Sequence, residues 1–155
     1  MSDETMDIGD LAKRMIEGTP QTVAMGFQFI SAGDGVGTIK VPYREDLVGD
    51  PETGVIAGGV VTTLLDHVCG LSIRAASSAH SAMATLDLRI DYMRAAKPRR
   101  DVIGRAHCYK ATHTVAFVRA VAYEDDPEDP IATAQGAFML TGAPSSEAPA
   151  GSEAG

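Results

Sequence analysis

One carboxylate stands out against its surroundings. Asp66 lies within the run Gly58-Gly59-Val60-Val61-Thr62-Thr63-Leu64-Leu65-Asp66-His67-Val68-Cys69-Gly70-Leu71-Ser72-Ile73, where it is the only acidic residue. A carboxylate among apolar neighbours is costly unless it is paired or put to use, and such groups concentrate at active sites. Wound as a helix, the run brings Gly59, Thr62, Thr63, Asp66 and Gly70 close together in projection, a small and polar stripe on an oily surface. The run opens with two glycines. There the backbone can approach a ligand closely, and the first amides of a helix have no partner within it. Such amides can polarise a carbonyl or hold a developing oxyanion. The carboxylate can act as general base on a water or attack directly. Plainer readings stand beside these. The glycine pair could simply let a tight loop pack, and Asp66 could face solvent or accept hydrogen bonds from nearby threonines.

Thr85 opens the strand after this helix, and its hydroxyl could orient a water or be an ordinary strand residue. Strict alternation places it on the face opposite Leu86 and Leu88, so reaching Asp66 requires a bulge or a partner subunit. Arg94-Ala95-Ala96-Lys97-Pro98-Arg99-Arg100 is the one concentrated basic stretch. It could grip phosphates or be a solvated hairpin loop. His67 lies about 100° around the helix from Asp66, so a dyad is not expected. His67, His80, His107 and His113 read as structural or solvated. They lack metal-ligand spacing, and Cys69 and Cys108 form no spacing motif, so no metal site and no disulfide framework are expected. No Gly-x-Ser-x-Gly elbow, phosphate-binding loop or dinucleotide fingerprint is present.

The elements that must position these groups follow from periodicity. Residues 7–17 read as an amphipathic helix with Ile8, Leu11, Ala12 and Met15 on one stripe, stopped by Gly18 and Pro20. Residues 23–43 read as two strands around the turn Ala32-Gly33-Asp34-Gly35, and residues 44–57 as a loop. Residues 58–76 are apolar nearly all round, the mark of a central, buried helix. Strands follow over 84–93, 101–112, 115–124 and 131–140, with Leu86, Leu88, Ile90 and Tyr92 expected on one face of the first. This divides the chain into an N-terminal helical segment over 1–19, one domain over 20–142 and a disordered tail over 143–155. The fold class is α+β. A single buried helix needs a curved antiparallel sheet of about six strands wrapped around it. That sheet keeps open edges, which pairing of two copies would satisfy.

The 155 residues fit one domain, and the 45% hydrophobic and 22% charged content is that of an ordinary globular chain. With 13 Lys and Arg against 21 Asp and Glu, the net charge of -8 argues against nucleic acid or an anionic membrane as partner. The acidic start MSDETMDIGD has no apolar stretch, so no signal peptide is expected and the cytoplasm follows by default.

Two segments, GVIAGGVVTTLLDHVCGLSI and ATLDLRIDYMRAAKP, resemble the hotdog-fold thioesterase superfamily, and most of all its phenylacetate-degradation type of acyl-CoA thioesterase. That family shows His-Gly-Gly at the start of its central helix, an aspartate one or two turns on, and a strand of the form T-x-D-x-x-I-x-Y-x-R-P-A. The resemblance spans roughly residues 20–141. It implies that Asp66 is the catalytic carboxylate, that Gly58 and Gly59 polarise the thioester carbonyl, and that Thr85 helps position the water. It also implies that Arg94, Lys97, Arg99 and Arg100 lie near the nucleotide end of coenzyme A, which is part of the substrate, so no separate cofactor is needed. A homodimer or homotetramer with sites at subunit interfaces is implied too. Ala57 stands where the family has histidine, Asp50 near where it often has asparagine, and Ala95 where it has proline. The lost histidine keeps a second reading open, a non-catalytic acyl-CoA binding protein. A hydratase of the same fold needs a site histidine, and none occupies a matching position.

Overall fold

The computed structural model describes residues 7–76 and 80–142. The expected tail over 143–155 and most of the loop after the central helix lie outside them. Twelve short elements run in the order α1 (Ile8–Gly18), α2 (Pro20–Met25), β1 (Gln28–Gly33), β2 (Val36–Val41), a 3-10 turn (Glu45–Leu47), β3 (Val48–Asp50), β4 (Val55–Ile56), α3 (Gly58–Ala76), β5 (His80–Tyr92), β6 (Val102–Ala111), β7 (Val115–Tyr123) and β8 (Ala132–Gly142). Six strands form one antiparallel sheet in the order β1-β2-β6-β7-β8-β5, with β1 and β5 at its edges. The helix α3 lies across its inner face, in the α+β arrangement expected of a hotdog fold.

The sheet can take a helix because its inner face is built from small residues. Along β7 and β8, Ala116, Ala120, Ala122, Ala132 and Ala134 are buried under α3, alternating with outward residues at period two. Two glycines go further. A methyl group added at Gly104 would meet Leu64 Cγ at 2.9 Å, and one at Gly37 would meet Leu71 Cγ at 2.8 Å. Leu64 and Leu71, both fully buried, are thus knobs two turns apart that drop into notches on neighbouring strands. Gly104→Ala is expected to lift α3 off the sheet and cost about 1–3 kcal/mol, the usual penalty of overpacking. A denaturant melt compared with wild type measures it.

Three local expectations need correction. Pro20 does not merely end α1. It occupies the first turn of α2, where its missing amide is no loss, so Val23–Met25 are helical and the first strand begins only at Gln28. Gly26, at φ 73°, closes α2 with its amide on Val23 O and Thr22 O. The stripe of α1 is shifted: Ala12 and Ile16 are buried, whereas Ile8 and Leu11 remain 46% and 44% exposed. The 44–57 segment is not all loop, since β3 and β4 pair within it. The turn at Asp34-Gly35 is as expected. Both residues take left-handed φ, 52° and 73°, which makes it the two-residue hairpin turn that Asp-Gly favours.

Candidate active site

The stripe on α3 is half-sunk in the molecule. Val60, Val61, Leu64, Leu65, Val68, Cys69 and Leu71 bury the rest of the helix surface, leaving Gly59, Thr62, Thr63 and Asp66 toward the flank where β5 runs. Thr62 and Thr63 do not bind Asp66. Their hydroxyls donate back along the helix, to Gly58 O at 3.2 Å and Gly59 O at 2.9 Å.

The partner of Asp66 is Thr85. The Thr85 hydroxyl donates to Asp66 Oδ1 at 2.9 Å. This contact depends on a β-bulge: Thr85 pairs with Phe138 and Asp87 with Ala137 on β8, so Leu86 is an extra residue. The inserted residue shifts the alternation, and Thr85 joins the helix-facing series of Leu88, Ile90 and Tyr92. Leu86, expected on that face, is instead 57% exposed. Asp66 is half-buried, and its second oxygen has no hydrogen-bond partner among the described residues.

The neighbours of Asp66 on α3 are chemically quiet. His67 turns toward α2, with Nε2 3.2 Å from Gln21 Oε1 and its ring edge-on to Phe27. Burial pushes its imidazole pKa down, against the opposing pull of the Asp66 charge. Burial, with a lesser push from Asp66, raises the Cys69 thiol to about 12. Cys69 is therefore a protonated thiol at neutral pH, not a nucleophile.

At the other end of the stripe, α3 begins at Gly58 without a side-chain cap. The amides of Gly58 and Gly59 have no hydrogen-bond partner among the described residues. Both residues are exposed, and the space beside Gly59 is open, with no atom within 4 Å of where a Cβ would stand. Ala57, at the position of the family histidine, packs against Gly49. Tyr92, which sequence reasoning placed on a strand face without a role, donates its hydroxyl to Gly58 O at 2.8 Å and lies 2.5 Å from Thr62 Oγ1. The sequence carries the period-two series Leu88-Ile90-Tyr92, but the meeting of its last member with the start of α3, more than thirty residues earlier, is set by the tertiary fold.

Asp50 is exposed at the end of β3. Its Oδ1 accepts from the Glu52 amide, and its carbonyl accepts from Gly54 N, so it shapes the 50–54 turn. The basic stretch folds against the acidic turn 124–129. Arg94 grips Glu124 at 2.5 Å and Asp129 at 3.2 Å, and the Lys97 amide also donates to Glu124, at 2.6 Å. Lys97 and Arg100 share Asp125 through exposed ion pairs. Arg99 has no ion pair among the described residues. Its amide donates to Gly54 O at 3.1 Å, which moors this loop to the segment leading into Gly58.

Glu124 is the buried member of this cluster, its side chain 1% exposed. Burial alone would raise its carboxyl, but the hydrogen bonds from Arg94 and the Lys97 amide, with the charge of Arg94, outweigh burial and hold it below its ordinary value of 4.5. A carboxyl depressed on folding contributes stability that is full above its unfolded value and is lost as pH falls through the folded one. Glu124→Ala is therefore expected to lower stability at neutral pH, toward the lower end of the roughly 3–5 kcal/mol typical of a broken buried pair, since Arg94 retains Asp129. It should also remove part of the acid destabilisation below about pH 4.5. Thermal melts from pH 3 to 7 test both.

Among the described residues no cluster of three His, Cys, Asp or Glu could hold a metal ion. Among the described residues no helix is long and apolar enough to cross a membrane. Two concavities of the single chain, about 330 Å³ beside Arg89, Arg119 and Gln135 and about 400 Å³ beside Arg105, lie on the outer face of the sheet, one of about 460 Å³ lies along α1 beside Lys13 and Arg14, and one of about 380 Å³ lies between Tyr43, Gly54 and Arg99. The Asp66 flank is bounded instead by the open edge strand β5.

The family model described as the thioesterase superfamily matches residues 53–131, which hold α3, Asp66, Thr85, Tyr92 and the basic stretch. A protein of Halobacterium salinarum bearing the name "Putative esterase" is 32% identical over 124 residues, covering 75% of this chain and 81% of its own. A crystal structure of a Pseudomonas aeruginosa protein is 40% identical, with TM-score 0.79, covering 86% of this chain and 99% of that one. A variant of the phenylacetic acid degradation protein PaaI from Thermus thermophilus superposes with TM-score 0.68 over 79% of this chain and 100% of its own. At 20% identity, that last likeness bears on the fold alone.

Proposed function

This chain belongs to the thioesterase superfamily, and from that premise we propose that it hydrolyses an acyl- or aryl-CoA thioester to the free acid and coenzyme A. The observation that carries the reading is the Asp66–Thr85 pair, a half-buried carboxylate held by one oxygen with the other left open. Asp66 takes a proton from a water whose oxygen adds to the thioester carbon, or adds there itself. The Gly59 amide receives the negative charge that develops on the carbonyl oxygen. The tetrahedral intermediate then collapses, breaking the carbon–sulfur bond, and the sulfur leaves as the thiol with the proton that Asp66 took from the water; where Asp66 itself adds, the sulfur takes its proton from solvent and the acyl anhydride left on Asp66 is hydrolysed by a water to the free acid. Arg99, with Lys97 and Arg100 once they exchange Asp125 for phosphate, holds the nucleotide end of the substrate. Arg94 is committed to Glu124 and shapes the loop.

One chain does not make a whole site. From Gly59 to Asp66 the helix rises about 10 Å, whereas a reacting carbonyl needs donor and nucleophile each about 3 Å away. Two copies joined along β5 by a two-fold axis would set the Asp66 of one against the Gly59 of the other, and would also cover the open edge. The reading is therefore of a homodimer, alone or within a tetramer, acting in the cytoplasm on a soluble substrate.

Release of free thiol from a panel of short, long and aromatic acyl-CoAs tests this function. Turnover of at least one, lost in Asp66→Asn, is the expected outcome. Calorimetric binding of acyl-CoA without turnover of any would instead establish a binding protein, the reading that Ala57 in place of histidine favours.

A further inference from the structure

The start of α3 is built from two glycines, with open space beside Gly59, yet it has to present an amide in one fixed direction. The Gly58–Gly59 peptide unit carries both the Gly58 carbonyl and the Gly59 N–H in one rigid plane. Whatever holds the carbonyl therefore aims the amide. Three contacts converge there. The Tyr92 hydroxyl donates to Gly58 O at 2.8 Å, the Thr62 hydroxyl reaches the same oxygen at 3.2 Å, and the two hydroxyls lie 2.5 Å apart. The Tyr92 ring also passes 3.9 Å from where a Gly58 Cβ would stand, so it packs against the bare backbone.

We propose that Tyr92, oriented by Thr62, is a positioning residue that fixes and polarises the Gly58–Gly59 peptide for oxyanion binding. A hydrogen bond to a peptide oxygen draws electron density from its nitrogen and strengthens the N–H as a donor. The same bond adds to the hold that the first turn of α3 has on this carbonyl, and narrows the freedom that a Gly-Gly start would otherwise keep. Strand β5 then serves both parts of the machinery: Thr85, beyond the bulge, holds the carboxylate, and Tyr92, at the strand's end, holds the amide. This inference rests on Gly59 being the oxyanion donor of a thioesterase.

Tyr92→Phe keeps the ring and deletes the hydroxyl. Its kcat on the preferred acyl-CoA is expected to fall about fivefold to tenfold, the factor one neutral hydrogen bond supplies, with KM unchanged. A second readout separates positioning from packing. With a ¹³C-carbonyl thioester bound to Asp66→Asn, the infrared carbonyl stretch should lie below its value in water. Adding Tyr92→Phe should shrink that shift. Unchanged kcat and an unchanged stretch would overturn the proposal while wild type still turns over. Wild type inactive on every thioester would instead overturn the thioesterase reading itself. If Tyr92→Phe does not fold, Thr62→Val frees the Tyr92 hydroxyl from its neighbour. A fall in kcat with KM unchanged then supports the proposal, and wild-type kcat overturns it.

Discussion

Asp66→Asn is expected to lower kcat by about 10²–10⁴-fold, the range one general base contributes, while its melting temperature stays near that of wild type. The substitution is close to a pure test of charge. An asparagine side-chain oxygen still accepts the Thr85 hydroxyl at the bulge, so the local geometry is retained. No other group on this stretch can take over. The Cys69 thiol is held protonated by burial, and His67 is turned toward Gln21 and Phe27 on the other flank of the helix. Asp66→Ala, which also gives up the Thr85 contact, should fall at least as far, because both variants lack the base. Wild-type rates in either variant, measured as thiol released from the preferred acyl-CoA, would remove the carboxylate from the chemistry.

The frame of the molecule was readable because its signals are long and regular. The apolar run 58–76 and the alternating runs after it each hold one period over ten or so residues, and the helix and four strands lie within a few residues of where those periods put them. Short elements were not so readable. Pro20 is a stop signal and a first-turn signal alike, and only the packing of α2 decides between them. For the candidate site, Asp66 and the two glycines stood out by being chemically foreign to their run. The reach of Thr85 did not, because a bulge is one residue of slippage against β8 and leaves the sequence of β5 looking strictly alternating. The basic stretch looked like a set of equal cations. Their partners are the acids of the β7–β8 turn, about thirty residues away, and no local pattern separates the pinned Arg94 from the unpaired Arg99.

Gly59→Pro should abolish the oxyanion donor without disturbing the helix, lowering kcat by about 10²–10³-fold. Proline is normally destructive in a helix, but in the first turn the amide it deletes has no helical partner and its fixed φ suits the geometry. The space beside Gly59 is empty to 4 Å, and the preceding residue is Gly58, which has no Cβ to clash with the ring. The variant then decides how the site is shared. If Asp66 of one chain works with Gly59 of another, Asp66→Asn and Gly59→Pro chains are each inactive alone. Mixed in equal amounts through unfolding and refolding, they should recover about a quarter of wild-type activity, because half of the two-fold dimers are mixed and each of those holds one intact site of two. If both groups of a site come from the same chain, every chain in the mixture carries one defect and nothing returns. Recovery would fix the dimer as the catalytic unit, with the edge of β5 as the seam along which its sites are assembled.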